Sequence, residues 1–206
     1  MLGIQHYASF IAAIVVFQAI PGAGTIAILH ATARDGRAGG MGAVLGTLVG
    51  DLVFMIAAIA GVAAVMKANP ALLRLLQLGG GLYLCWMGVG LWRASVSSVA
   101  TDGGQRRTPA HAFRRALAVC LTNPKVVLFF FAFFPLFLTP GARPATLALM
   151  VLHVSVISLA WQTALVLIGN HVATRMRHLQ WARKVAHRVA GVALVAFGVR
   201  LAVQHG

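Results

Sequence analysis

The sequence contains no glutamate and only three aspartates, Asp35, Asp51 and Asp102. Hydrolysis by a pair of carboxylates therefore has too few groups to work with. No Ser-His-Asp set or phosphate-cradling glycine loop offers another route to catalysis, and the chain reads as a non-enzyme. Cysteine is equally scarce. Cys85 and Cys120 lie in apolar runs and share neither a CxxC nor a metal-ligand spacing, so they read as small packing residues. The histidines form no ligand set either, and His171, His178 and His187 sit among arginines whose charge disfavours a metal. No metal and no cofactor is expected. No Lys or Arg precedes Arg34, so the chain start lacks the basic region of a signal peptide, and its first apolar run reads as a retained span.

The abundant class is apolar. Hydrophobic residues make up 60% of the chain and charged ones 10%, whereas a soluble domain is about half apolar and about a quarter charged. A chain of 206 residues has too little interior to hide that excess from water, so it must face lipid. The 17 Lys+Arg lie in short blocks between long apolar runs, the pattern of loops flanking a membrane rather than of a nucleic-acid surface. Membrane lipid is the expected partner and nucleic acid is not.

At 1.5 Å rise per residue a span needs about 20 apolar residues. Six segments qualify: Tyr7–Leu29, Met41–Met66, Ala71–Trp92, Ala116–Leu138, Thr146–Gly169 and the shortest, Val189–Gln204. Placing the first, third and fifth loops in the cytoplasm puts twelve of the 17 positive residues inside (Arg34, Arg37, Arg93, Arg106, Arg107, Arg114, Arg115, Arg175, Arg177, Arg183, Lys184 and Arg188) and both termini outside. The Ser-, Thr-, Gly- and Pro-bearing stretch 94–112 is the one linker. It divides a single transmembrane domain, 1–206, into a first repeat, 1–93, and a second, 113–206. Three spans per half give the halves opposite orientation, an inverted repeat of the kind many secondary transporters use. Residues 171–188 fit either an interfacial helix or a solvated basic loop. Gly42, Gly46 and Gly50 recur every four residues on one face of the second span, where they let backbones approach. Such faces permit a homodimer without demanding one.

Two spans carry a helix-breaking motif at comparable points. The first contains Pro21, Gly22, Ala23 and Gly24, followed by Thr25; the fourth contains Asn123, Pro124 and Lys125, where Asn suits an N-cap and Pro the first helical position. Either break alone reads as a proline kink. One in each half points to a binding site, because half-helix N-termini inside a membrane attract an anion such as a carboxylate. Asp51 and Lys125 are the ionisable residues well inside spans. A charge there costs about 2.5–3.5 kcal/mol on insertion scales, which makes both functional candidates unless they merely pair to join two helices. Lys125 is expected to seek an anion, either Asp51 or a substrate carboxylate. Counted from the cytoplasmic ends, Pro21, Asp51 and Lys125 lie roughly 12, 15 and 14 Å deep, with Gln18 and Gln162 at comparable levels and Trp161 beside them as a candidate lining residue. His153, near the outer end of the fifth span, reads as a satisfied interfacial histidine rather than a proton relay.

Several stretches resemble the LysE/RhtB family of amino-acid exporters. They include Ile20-Pro21-Gly22, residues 36–40, residues 46–51, Gly61-Val62, residues 78–84 with Gly88, Leu121–Phe130 followed by Phe134-Pro135, and residues 191–201. The Asn-Pro-Lys segment with its trailing phenylalanines is the most specific; the glycine pattern is less so. The resemblance departs at the first break, where the family shows Pro-Gly-Pro, often followed by Asp or Asn, and this chain has Pro21-Gly22-Ala23-Gly24-Thr25. It implies efflux of an amino acid or derivative across a bacterial inner membrane, driven by the proton gradient. Asp51, as a lone buried carboxylate, is then expected to carry the proton or attract the substrate ammonium. The alternatives within the same superfamily are an inorganic or metal-ion exporter and a transmembrane carrier of thiol reducing equivalents. The latter would need a Cys beside each break, where Gly22 and Lys125 stand instead.

Overall fold

The computed structural model describes residues 4, 6–68, 107–137 and 143–176, with isolated positions at 79, 82, 85, 86, 89, 192 and 195. The described residues form helices α1 (Tyr7–Ala19), α2 (Ala23–Ala68), α3 (Pro109–Leu121), α4 (Pro124–Phe137) and α5 (Pro144–Met176). The third and sixth spans read from the sequence, Ala71–Trp92 and Val189–Gln204, fall outside the described residues apart from isolated positions, as does most of 171–188.

The first span is interrupted. α1 stops at Ala19, and Ile20 turns to extended backbone (φ −77°, ψ 109°) before α2 begins at Ala23. The expected loop 30–40 is a correction: helix persists through it except at Gly36, whose φ of 74° and ψ of −169° break α2 into two arms. That conformation suits glycine because it has no Cβ to clash. The turn is fixed from outside. Asp35 accepts hydrogen bonds from Arg34 Nε and Nη2 at 2.9 and 2.8 Å, and from the Arg107 backbone N–H at 2.8 Å, which ties it to the entry of α3.

α3 starts at Pro109, inside the stretch assigned to the linker 94–112, because Thr108 caps it and Pro109 fits the first turn. α3 and α4 then meet at a 61° bend at residues 122–123. α5 runs for 33 residues, about 50 Å, well beyond the apolar stretch that marked the fifth span.

Apolar residues lie on both the inside and the outside. On α2, Leu45, Val49, Leu52, Val53 and Ile56 are exposed at helical spacing, and on α5 so are Leu152, Val156 and Leu159. Continuous apolar stripes facing outward are what lipid requires and water penalises. α2 and α5 each contain a segment long and apolar enough to cross a membrane, and the bent α3–α4 pair qualifies when taken as one span.

Two hydrophobic clusters fill the interior. One is dominated by phenylalanines of α1 and α4: Phe17 stacks on Phe129 at 3.7 Å, Phe129 on Phe133 at 4.9 Å, and Phe10 tilts against Phe133 at 5.2 Å. The other joins both arms of α2 (Ile28, Ala31, Ala43, Val44) to Ala112, Ala116 and Val166. α2 packs on α3 through its glycine face. A Cβ added at Gly42 would lie 2.3 Å from Pro109 O, at Gly46 2.3 Å from Phe113 O, and at Gly50 2.6 Å from Cys120 Sγ. At Gly42 and Gly46 the obstacle is backbone and cannot yield.

This packing makes a direct prediction. Gly46→Ala should destabilise the protein by about 1–3 kcal/mol through overpacking. Gly61→Ala should be neutral or mildly stabilising, because among the described residues its added methyl meets only Phe131 Cε1 at 3.7 Å and alanine favours helix. Thermal unfolding of the two purified variants in detergent compares them.

Candidate functional site

The break after α1 leaves carbonyl oxygens with no helical partner at its C-terminal end. Lys125 supplies one. Its Nζ donates to Ile20 O at 2.9 Å and Phe17 O at 3.4 Å, and sits 4.5 Å from the Phe17 ring centroid. A cation is favoured at a helix C-terminus and over an aromatic face, so two weak preferences agree. Of the two anions expected to attract Lys125, Asp51 is not in ion-pair contact with it among the described residues; backbone carbonyls are its partners instead.

The second break is capped locally. Asn123 Oδ1 accepts from the Lys125 backbone N–H at 3.1 Å, Asn123 O accepts from the N–H groups of Val126 and Val127, and Pro124 begins the helix. The stem of Lys125 then crosses to the first break, where a Cβ on Gly22 would meet its Cδ and Nζ at 3.4 Å. A methyl at position 22 would therefore lie in ordinary van der Waals contact with the lysine stem.

Asp51, from the second arm of α2, is buried at 5% exposure. Its Oδ1 lies 3.4 Å from Cys120 Sγ, a thiol that also lies 3.6 Å from Thr47 O. The single thiol proton serves one of these acceptors at a time. One turn before Asp51, the Thr47 hydroxyl lies 2.9 Å from Val44 O and 2.7 Å from Gln162 Oε1. Gln18 Nε2 donates to Ser158 Oγ, joining α1 to α5.

These groups surround a cavity of about 40 Å³ lined by Gln18, Gly22, Gly24, Thr25, Thr47, Asp51, Cys120, Asn123, Lys125 and Gln162, with Phe17, Ile20 and Val126 as its apolar wall. A water needs at least about 10–15 Å³, so as it stands the cavity takes a few waters and no amino acid. It has a lone acid, amide and hydroxyl groups and an apolar wall, the donor and acceptor set for a small zwitterion with a hydrophobic side chain.

Of the residues singled out from the sequence, Gly22, Gly24, Thr25, Asn123, Lys125, Asp51, Gln18 and Gln162 line the cavity. Pro21, Ala23 and Pro124 shape the breaks without lining it. Trp161 is a correction: it is exposed and absent from the lining, although its neighbour Gln162 is buried there. Adjacent helical residues point about 100° apart, so a shared depth does not make a shared face. Cys120, assigned to packing, and Thr47 were missed. Both were detectable by helical spacing, Thr47 four residues before Asp51 and Cys120 in the turn before Asn123. His153 is satisfied, with a ring nitrogen 2.7 Å from Leu149 O and Tyr7 edge-on at 5.6 Å.

The LysE type translocator family model matches residues 15–205. An uncharacterized membrane protein of Pseudomonas aeruginosa is 34% identical over 98% of this chain and 96% of its own length. Leucine efflux proteins of Klebsiella pneumoniae and Salmonella typhimurium are 30% and 29% identical, each over 97% of this chain and 96% of their own. No solved structure matches. With that match across nearly its full length, this chain belongs to the LysE type translocator family.

Proposed function

We propose that the protein exports an aliphatic amino acid of the leucine class across the bacterial inner membrane in exchange for protons. The observation that carries this reading is the meeting of both helix breaks, Asp51 and Lys125 around one cavity walled by Phe17, Ile20 and Val126. The leucine efflux relatives support the substrate class.

In this reading the substrate lies between the breaks when the cavity widens. Its carboxylate takes first-turn backbone N–H groups of α2, at Gly24 and Thr25, and approaches the Lys125 ammonium. Its side chain rests on Phe17, Ile20 and Val126. Asp51 alternates between two loads. A buried carboxylate with no ion pair among the described residues is costly, and either a proton or the substrate ammonium lowers that cost. One displaces the other, which is the elementary step of antiport. The two three-span halves, with both termini outside, would rock about this layer to expose it to each side in turn. A metal or inorganic-ion cargo is less well served, because the cavity offers a single carboxylate and among the described residues no group of three His, Cys, Asp or Glu comes together.

Two outcomes test the reading. Asp51→Asn should cut leucine export from loaded proteoliposomes at least tenfold and remove its dependence on a pH gradient, while the protein still inserts and purifies; retained proton-dependent export would take Asp51 out of the mechanism. Lys125→Met keeps the length of the stem but leaves the Ile20 and Phe17 carbonyls without their cation, so the purified protein should lose about 1.5–3 kcal/mol of stability as well as export. Lys125→Arg should recover part of the stability, as read from unfolding in detergent.

A further inference from the structure

A second cavity, of about 250 Å³ against about 40 Å³ at the centre, lies between the first arm of α2 and α3. Its floor is made of alanines from both helices, among them Ala27 and Ala116, and its polar lining is His30, Arg34, Asp35 and Arg115. Asp35, the one acid of this lining, already accepts from Arg34 and from the Arg107 backbone, so its charge is compensated. Arg115 is exposed and adds a positive charge over the alanine floor. The two cavities stand back to back. Ala23 and Val119 line this one, while their chain neighbours Gly24 and Cys120 line the central one.

We propose that this cavity is a vestibule binding site, in which the outgoing amino acid docks its carboxylate on Arg115 and its aliphatic side chain on the alanine floor before it passes to the central cavity. The inference rests on the functional reading above and extends it to a second site in series. The chemistry is a guanidinium for a carboxylate beside a small-residue, apolar surface that a leucine-class side chain can cover. A lipid phosphate would satisfy the same guanidinium. A lipid's acyl chains could also cover the alanine floor, but a cavity of about 250 Å³ holds a whole amino acid and only a fraction of a lipid, and so the amino acid fits better. The vestibule also accounts for the size mismatch at the centre. The site with room for an amino acid in this conformation is the outer one, and the inner one opens only when the substrate moves on. Its Asp35 end adjoins the turn at Gly36, which the charge bias of the loops assigns to the cytoplasm, where an exported amino acid starts.

The test measures leucine export from reconstituted vesicles over a range of internal leucine concentrations. Arg115→Gln should raise the half-saturating concentration about tenfold with little change in maximal rate, as expected for the loss of one charge-assisted bond. Arg114→Gln, also exposed on α3 but outside the lining, should leave both parameters unchanged. An unchanged half-saturation in Arg115→Gln overturns the proposal. So does a wild type whose half-saturation shifts to the Arg115→Gln value when anionic lipid is omitted from the vesicles, because the ligand would then be lipid phosphate. A second arm needs no transport. Ala27→Cys, in a protein with Cys85→Ala and Cys120→Ala, should react with a small maleimide more slowly in the presence of leucine, and should do so equally when Asp51→Asn is added. Reaction unaffected by leucine contradicts the vestibule. If the wild type exports no leucine but the labelling is still slowed, the functional reading fails and the site stands.

Discussion

The arrangement depends on how one interrupted helix is completed. α1 ends within the fold beside a cavity with room for only a few waters, and in a membrane each backbone carbonyl left unsatisfied costs several kcal/mol. Lys125 closes that end from another helix, bonding Ile20 O and Phe17 O and resting over the Phe17 ring. Much else follows from where its ammonium must sit. The stem passes close beside Gly22, where a methyl group would just touch it. The Asn123 cap must start α4 where it does. The stacked Phe17 and Phe129 rings hold α1 and α4 together beside it.

Because Lys125 is engaged with carbonyls, Asp51 has no ion pair among the described residues. A tight Asp–Lys pair would have joined two helices and silenced both charges. Here the acid keeps a neutral thiol as neighbour and faces a cavity, so its charge can be met by something that comes and goes. The backbone of α3 runs against the glycine face of α2 and places Cys120 opposite Asp51. The small residues chosen for close packing therefore also set the surroundings of the acid.

Much of this was readable in the sequence, for reasons that differ from residue to residue. The two breaks were legible because Pro21-Gly22 and Asn123-Pro124 act locally, through a missing donor and a side-chain cap. The glycine face was legible because Gly42, Gly46 and Gly50 repeat at the helical spacing. The partner of Lys125 was not, because sequence distance hides which carbonyls stand nearby, and a charge was assumed to answer a charge. Trp161 was misplaced for a related reason, since depth along a span was used without its rotation. The extent of helix around Gly36 was obscured by polar composition: Arg34, Asp35 and Arg37 look like a loop, yet Asp35 is held by Arg34 and Arg107 within helical backbone.

An experimental structure of the protein with leucine bound addresses the central claim most directly. The account expects leucine between residues 22–25 and 123–126, its ammonium within hydrogen-bond reach of Asp51, and the Lys125 ammonium still on the Ile20 carbonyl. Leucine held away from both breaks, or Lys125 paired with Asp51 while the end of α1 stands uncapped, would contradict it.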